Sequence, residues 1–526
     1  MQSTHGASQP AWATPLVLAW LAALTFSSVP AAAAEEKKEA AEKEAAAEKE
    51  AVFQMQKISI FDEKAVDEKL RAELGSGEYA FCENEPNEEV KAYPKLKSKH
   101  PLYGSVVLDR SYFDPNSGIK YYFVLDESGE APPGGEKKSE EKSFWQRFRE
   151  SLPGWLGGGS EERCRYDRLY FDANHDLDLT NDLVLAPMKN PPSGVLEDRQ
   201  PSSPNQCIFD CVTLQFEVDQ ELGKCSLKIM PRLTSDGLGE GLLMFTATEA
   251  RKGTIRLGKR EYTAVLAQAG TITGRFDRPF TTLRLTPVDG TAKPSPWYSL
   301  LSLAREVDGQ LYTLSATPGG EQITVTPYRG EFGELQVGSG GREMQKVGVA
   351  GLIMSEKGTL CALGNPEFWQ PTEKSPRHRL PVGDYRPLQL EVDLGQVRLD
   401  LSPMRQPDDD SDHAARKPPG YPIKISKEQP FILDFANKPT VAFSKPRAEQ
   451  VYKPGDTIQL EAMLTDPAMG LMVSRLYDMT RKQREFEYRD DEGKTVKIPQ
   501  YASLNPTVVI ADSSGKQVAG GEMPFG

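Results

Sequence analysis

The feature that most narrows the folds open to this chain is a series of short alternating runs, rich in β-branched and aromatic residues and cut off by turn residues. Tyr103 to Leu108, Tyr121 to Leu125, Val212 to Val218 and Cys225 to Met230 follow the two-residue period of half-buried strands. Further along, Val307-Asp308-Gly309-Gln310 and Thr317-Pro318-Gly319-Gly320 carry turn chemistry beside strands expected at Gln310 to Ser315 and Gln322 to Thr326. The expected class is mainly β, built as several β-sandwich-like modules with few helices. At 526 residues the chain has room for roughly three domains.

The N-terminus reads differently. An apolar run from Pro15 to Phe26 is followed by Val29-Pro30 and by Ala31 to Ala34, which is the core and small-residue cleavage site of a signal peptide over residues 1–34. This segment has no Lys or Arg ahead of its core. The run is short for a membrane span of roughly 20 residues, so the expected location is secreted, periplasmic or cell-surface. Residues 35–56 then form a charged, Ala-rich helical spacer with Glu→Lys pairs, giving way to strand patterning from about Val52.

Formal charge is -13, and residues 1–34 contribute none of it. An acidic chain without a basic stripe is a poor match to nucleic acid or to an anionic membrane surface, and a reasonable one to cations. Six cysteines (Cys82, Cys164, Cys207, Cys211, Cys225 and Cys361) fall in a compartment that permits disulfides. Cys207 and Cys211, placed on one strand, would stand about 13 Å apart, too far to bridge. With five cysteines in the N-terminal half, either a bridge joins two domains or at least one thiol is free.

One stretch carries most of the chemistry. Asp172, Asn174, Asp176, Asp178, Thr180 and Asp182 place oxygen-bearing side chains at every second position. Such a run repels itself unless water or a cation neutralises it, and hard oxygen ligands at this spacing suit Ca²⁺. The segment resembles the calcium loops of EF-hands, dockerins and thrombospondin-type repeats. Asp172, Asn174 and Asp176 match ligand positions 1, 3 and 5, Asp178 position 7 and Thr180 position 9. It departs from them in that Leu177 stands where the turn glycine belongs, Leu183 stands at position 12, and Asp182 falls one residue early. The resemblance implies a structural calcium ion held by Asp172, Asn174, Asp176, Asp178 and Asp182. A plain polar loop would instead turn Leu177, Leu179 and Leu183 into the core. An echo lies upstream: residues 109–116 match residues 167–174 at six of eight positions, which suggests a repeated strand-and-turn unit.

The division expected from these signals is an N-terminal β domain over 57–240, a second over 241–437 and a last segment over 438–526. The first carries a flexible insertion at 128–162 and the acidic calcium-type loop at 172–183; the second carries a polar insertion at 405–420. Within the first insertion Phe144, Trp145, Phe148 and Leu152 lie on one side of a short helix, a candidate membrane or partner contact through residues 143–156. In the last segment Lys453-Pro454-Gly455-Asp456 precedes the alternating strand Thr457 to Ala462. That segment resembles the immunoglobulin-like β-sandwich modules of secreted bacterial proteins, and the whole layout is similar to uncharacterised members of that group.

Enzyme motifs are missing: there is no H-E-x-x-H, no G-x-S-x-G and no P-loop. The reading is a secreted or cell-surface, non-enzymatic interaction or structural protein, with an extracellular protein or glycan as partner and Ca²⁺ as its ion. The alternative is a carbohydrate-active or carbohydrate-binding protein with an accessory immunoglobulin-like domain. Trp297-Tyr298 and Phe368-Trp369 would supply its sugar platforms.

Overall fold

The computed structural model describes residues 49–110, 117–128, 166–192, 207–217, 224–235, 241–290, 300–339, 342–343, 348–364, 377–403, 420–434, 440–446, 450–453, 455–489 and 495–523. Residues 1–34, expected to be a signal peptide, most of the expected spacer, Cys164, residues 143–156, Trp297, Trp369 and residues 405–419 of the expected polar insertion lie outside them. The described residues fold as mainly antiparallel sheets, with Phe332–Ser339 and Phe431–Asp434 paired in parallel, and a single helix, Glu68–Leu74, capped by Asp67 accepting from Leu70 N–H. Mainly β is therefore the observed class. No helix among the described residues is long and apolar enough to cross a membrane.

The alternating runs became the strands Leu102–Leu108, Ile119–Asp126, Val212–Glu217, Lys224–Ser235, Gln310–Ala316 and Gln322–Pro327. The Asp308-Gly309 turn has both residues left-handed (φ 52° and 82°), which matches the twist of the strands it joins at the pair Val307↔Gln310. The spacer ends earlier than expected. Ala51–Gln54 is a strand paired with Gln322–Pro327, because Val52 and Phe53 alternate outward and inward in place of building a polar helix.

Strand pairing also runs across the positions at which the sequence was divided. Glu78–Phe81 joins Gly241–Ala247, Gln56–Ser59 joins Glu249–Leu257, and Val397–Pro403 joins Leu471–Arg489. Two large apolar cores result. One gathers side chains from Met55 to Val325, the other from Leu335 to Val473. Each fully buried Leu or Phe in them contributes roughly 1.5–3 kcal/mol.

Cys207 and Cys211 are not on one strand. Cys207–Ile208 and Val212–Glu217 both pair with Lys224–Ser235, but the chain between them turns aside as Asp210 N–H donates to Ala186 O. Cys82, Cys211, Cys225 and Cys361 carry free thiols. Of the first copy of the sequence echo only Asp109 and Arg110 lie within the described residues. Asp109 leaves its strand in a left-handed conformation (φ 53°), whereas its counterpart Asp167 leads directly into the strand Arg168–Phe171.

The four-stranded sheet Leu102–Leu108, Ile119–Asp126, Arg168–Phe171 and Val184–Leu185 positions the acidic loop. It is apolar on both faces. Tyr121, Phe123, Leu125, Leu169 and Phe171 point into the first core. Tyr122, Val124 and Tyr170 point the other way, where Val90, Leu177 and Leu179 cover them. Where the second and third strands end, Asp167 closes the connection: its carboxylate accepts from Ser128 N–H (2.6 Å) and from the Ser128 hydroxyl, and the fully buried Asp126 accepts from Lys97 and Ser98 N–H.

Candidate metal centre

Residues 172–183 form the turn between Arg168–Phe171 and Val184–Leu185. The chain folds this way because Asp172, Asn174, Asp176 and Asp178 each cap backbone amides just ahead of them. Asp172, 0% exposed, accepts from Asp176 N–H at 3.0 Å through Oδ1 and from Leu177 N–H at 3.2 Å through Oδ2. Asn174 Oδ1 accepts from Asp176 N–H, Asp176 Oδ1 from Asp178 N–H, and Asp178 Oδ1 from Thr180 N–H. These are Asx-type turns, a local alternative to strand pairing.

The two leucine departures resolve differently. Leu177 takes the left-handed backbone, φ 67°, that a turn glycine would take. Its side chain packs beside Val90, Tyr122 and Leu179, and that burial offsets the roughly 1–2 kcal/mol of left-handed strain. Leu179 is fully buried, but Leu183 is 74% exposed, so the three leucines do not share a core face. The loop is also pinned from outside: Leu179 N–H donates to Ala92 O, Lys91 N–H to Leu177 O and Lys91 Nζ to Asp176 O.

At the base of the loop two of the carboxylates meet. Asp182 folds back so that Oδ1 accepts from Ala173 N–H at 3.2 Å, next to the buried Asp172. Its other oxygen, Oδ2, is buried without a hydrogen-bond partner. Burial and then the charge of Asp172 push the Asp182 carboxyl up to about 6. The partly exposed Asp176 is the opposite case. Asn181 Nδ2 at 2.8 Å, then the Asp178 amide, hold its carboxyl below the usual range.

Asn181 was missed by the sequence reading, because it breaks the two-residue spacing; it bridges Asp176 and Asn174 across the loop. Lys91 was missed because it is remote in sequence. Edge-on contact of His175 with the Tyr121 ring, and the left-handed φ of 59° at His175, complete the turn.

The residues present fit a hard cation by donor type and by the orphaned Asp182 oxygen. Carboxylate oxygens have two lone pairs each, so the amide contacts leave acceptor capacity for an ion. Asp172, Asn174, Asp176, Asp178 and Asp182 would hold it. No group of three or more His, Cys, Asp or Glu among the described residues is already drawn together as a metal cluster.

No protein-family model, no curated protein and no solved structure matches the chain.

Proposed function

We propose that this chain is a secreted or cell-surface β-rich structural or interaction protein, without catalytic machinery, whose acidic loop is closed by a structural calcium ion. The observation that carries the ion is the buried, unpartnered Oδ2 of Asp182 beside the fully buried Asp172. Two carboxylates in one low-dielectric position need either a proton or a cation between them. Calcium supplies the cation without sacrificing either ligand, and its binding free energy adds to folding free energy. The signal-peptide pattern supports the location, and the interleaved sheets support a rigid scaffold that presents its surface to an extracellular protein or glycan. The C-terminal segment, with its resemblance to immunoglobulin-like modules, is the interaction or spacer element.

The test is thermal unfolding of the full chain in EDTA and across a Ca²⁺ titration, with Asp172→Ala and Asp182→Asn in parallel. A rise in melting temperature with Ca²⁺ that both variants lose is the expected outcome. An unchanged melting temperature at millimolar Ca²⁺ removes the ion from the reading.

A further inference from the structure

A second group of carboxylates lies far from the acidic loop, on the sheet that carries the C-terminal strands. Antiparallel pairing of Gly383–Asp393 with Val397–Pro403 sets Glu391 directly opposite Asp400, and Asp393 opposite Arg398. Directly opposed residues have Cβ atoms roughly 5 Å apart, and like charges there repel. The next strand, Leu471–Arg489, brings Arg475 opposite Asp400. On the other flank Ala350 faces Glu391 and contributes no charge.

The position is buried: Glu391 is 7% exposed. Four side-chain atoms in this patch are buried without a hydrogen-bond partner, namely Glu391 Oε1, Arg398 Nε, Asp400 Oδ1 and Ser402 Oγ. Arg398 lies between the two carboxylates, 3.3 Å from Glu391 and 3.9 Å from Asp400, out of hydrogen-bond alignment with both. Its guanidinium also stacks on the Tyr477 ring at 4.8 Å. Asp393, Glu391 and Asp400 against Arg398 and Arg475 leave one negative charge in excess. One proton balances the patch and gives an orphaned oxygen a donor.

We propose that Glu391 and Asp400 share a single proton and form a proton-dependent latch on the seam between Gly383–Asp393 and Val397–Pro403. On its other edge Val397–Pro403 pairs with Leu471–Arg489, through which Glu461–Asp466 and Thr495–Ser503 join the sheet, with Thr440–Lys445 following by way of Glu461–Asp466. With the proton in place, the opposed pair is one carboxylate and one carboxylic acid. When it leaves, two facing anions share one guanidinium in a dry position, and the seam loosens.

The sign follows from burial, which pushes Glu391 up to about 7, Arg398 pulling the other way and Asp400 adding to the rise. Asp400 is raised as well, again by burial first, with Arg398, Arg475 and a hydrogen bond from the Tyr477 hydroxyl pulling the other way. The folded seam keeps a proton that the opened chain would release in the ordinary Glu range. Seam stability is therefore full below that range, falls as pH climbs to about 7, and is flat above it.

Hydrogen exchange of the full chain, read by mass spectrometry at about pH 5.5 and about pH 8 with intrinsic rates matched, tests this. Peptides covering 383–393 and 397–403 are expected to open roughly tenfold more at the higher pH. Glu391→Gln is expected to hold the low-pH protection at both values. Asp400→Asn is the second variant: removing the opposed charge is expected to shrink the pH response and move it toward lower pH. Equal protection of these peptides at both pH values in the wild type overturns the latch. So does an undiminished pH response in whichever variant folds.

Discussion

The acidic loop and the C-terminal seam both crowd carboxylates onto a β framework, and they settle the repulsion by different means. In the loop the chain is free to turn, so Asp172, Asp176 and Asp178 find backbone N–H groups two to five residues ahead, Asp182 reaches back to Ala173 N–H, and Asp182 Oδ2 is left buried without a partner. In the seam the backbone N–H groups are engaged in strand pairing, so Glu391 and Asp400 have only side chains to turn to. Arg398 divides itself between them, and both carboxyls are raised by burial. A loop solves crowding with amides and keeps room for an ion; a sheet interior solves it with a guanidinium and a proton. The first arrangement tightens as pH rises if calcium is present, while the second loosens.

The largest expected effect is at the loop. Asp172→Ala strips acceptors from two backbone amides at a fully buried position and is expected to cost about 3 kcal/mol in denaturant unfolding, even in EDTA. Were the loss small, the amide contacts would not be what shapes the loop. Next comes the seam. Glu391→Gln is expected to stabilise the chain by about 2 kcal/mol at pH near 8 and by little at pH near 5.5. A variant equally stable relative to wild type at both values would place the raised carboxyl elsewhere.

Asp182→Asn is expected to act in opposite directions with and without metal. Without calcium, removing a carboxyl raised to about 6 is expected to add about 1 kcal/mol at neutral pH, discounted because the group is half exposed. The underlying stability is full below the ordinary Asp range and is lost as pH climbs to about 6. With calcium the same variant is expected to lose the ion's stabilisation, which calorimetry in EDTA and in Ca²⁺ would separate. The smallest effect is expected at His175. Glycine there relieves left-handed strain but gives up the Tyr121 contact, for a net gain of about 0.5 kcal/mol in chemical unfolding.

The loop was legible in the sequence because its physics is local. Spacing alone aligned Asp172, Asn174, Asp176 and Asp178, and turn chemistry alone placed Asp308-Gly309. The strands were legible for the same reason, since alternation along Tyr103 to Leu108 is visible without knowing its partners. What could not be read was pairing. That Glu78–Phe81 would join Gly241–Ala247, or that Glu391 would face Asp400, depends on which strands meet and in which register. Leu177 looked like a defect because the packing that compensates it comes from Val90 and Tyr122, remote in sequence.

The closure formed by Ser128 and Asp167 has an engineering meaning. Because side-chain and backbone contacts at this neck already hold the two strand ends together, residues 129–165 enter and leave the sheet through a single gate. Trading that stretch for a four-residue turn would remove about 2 kcal/mol of loop-closure entropy and leave the strand register untouched. By the same logic the gate is a grafting point: a foreign peptide or a reporter domain inserted there would ride on the sheet that holds the acidic loop without becoming part of it.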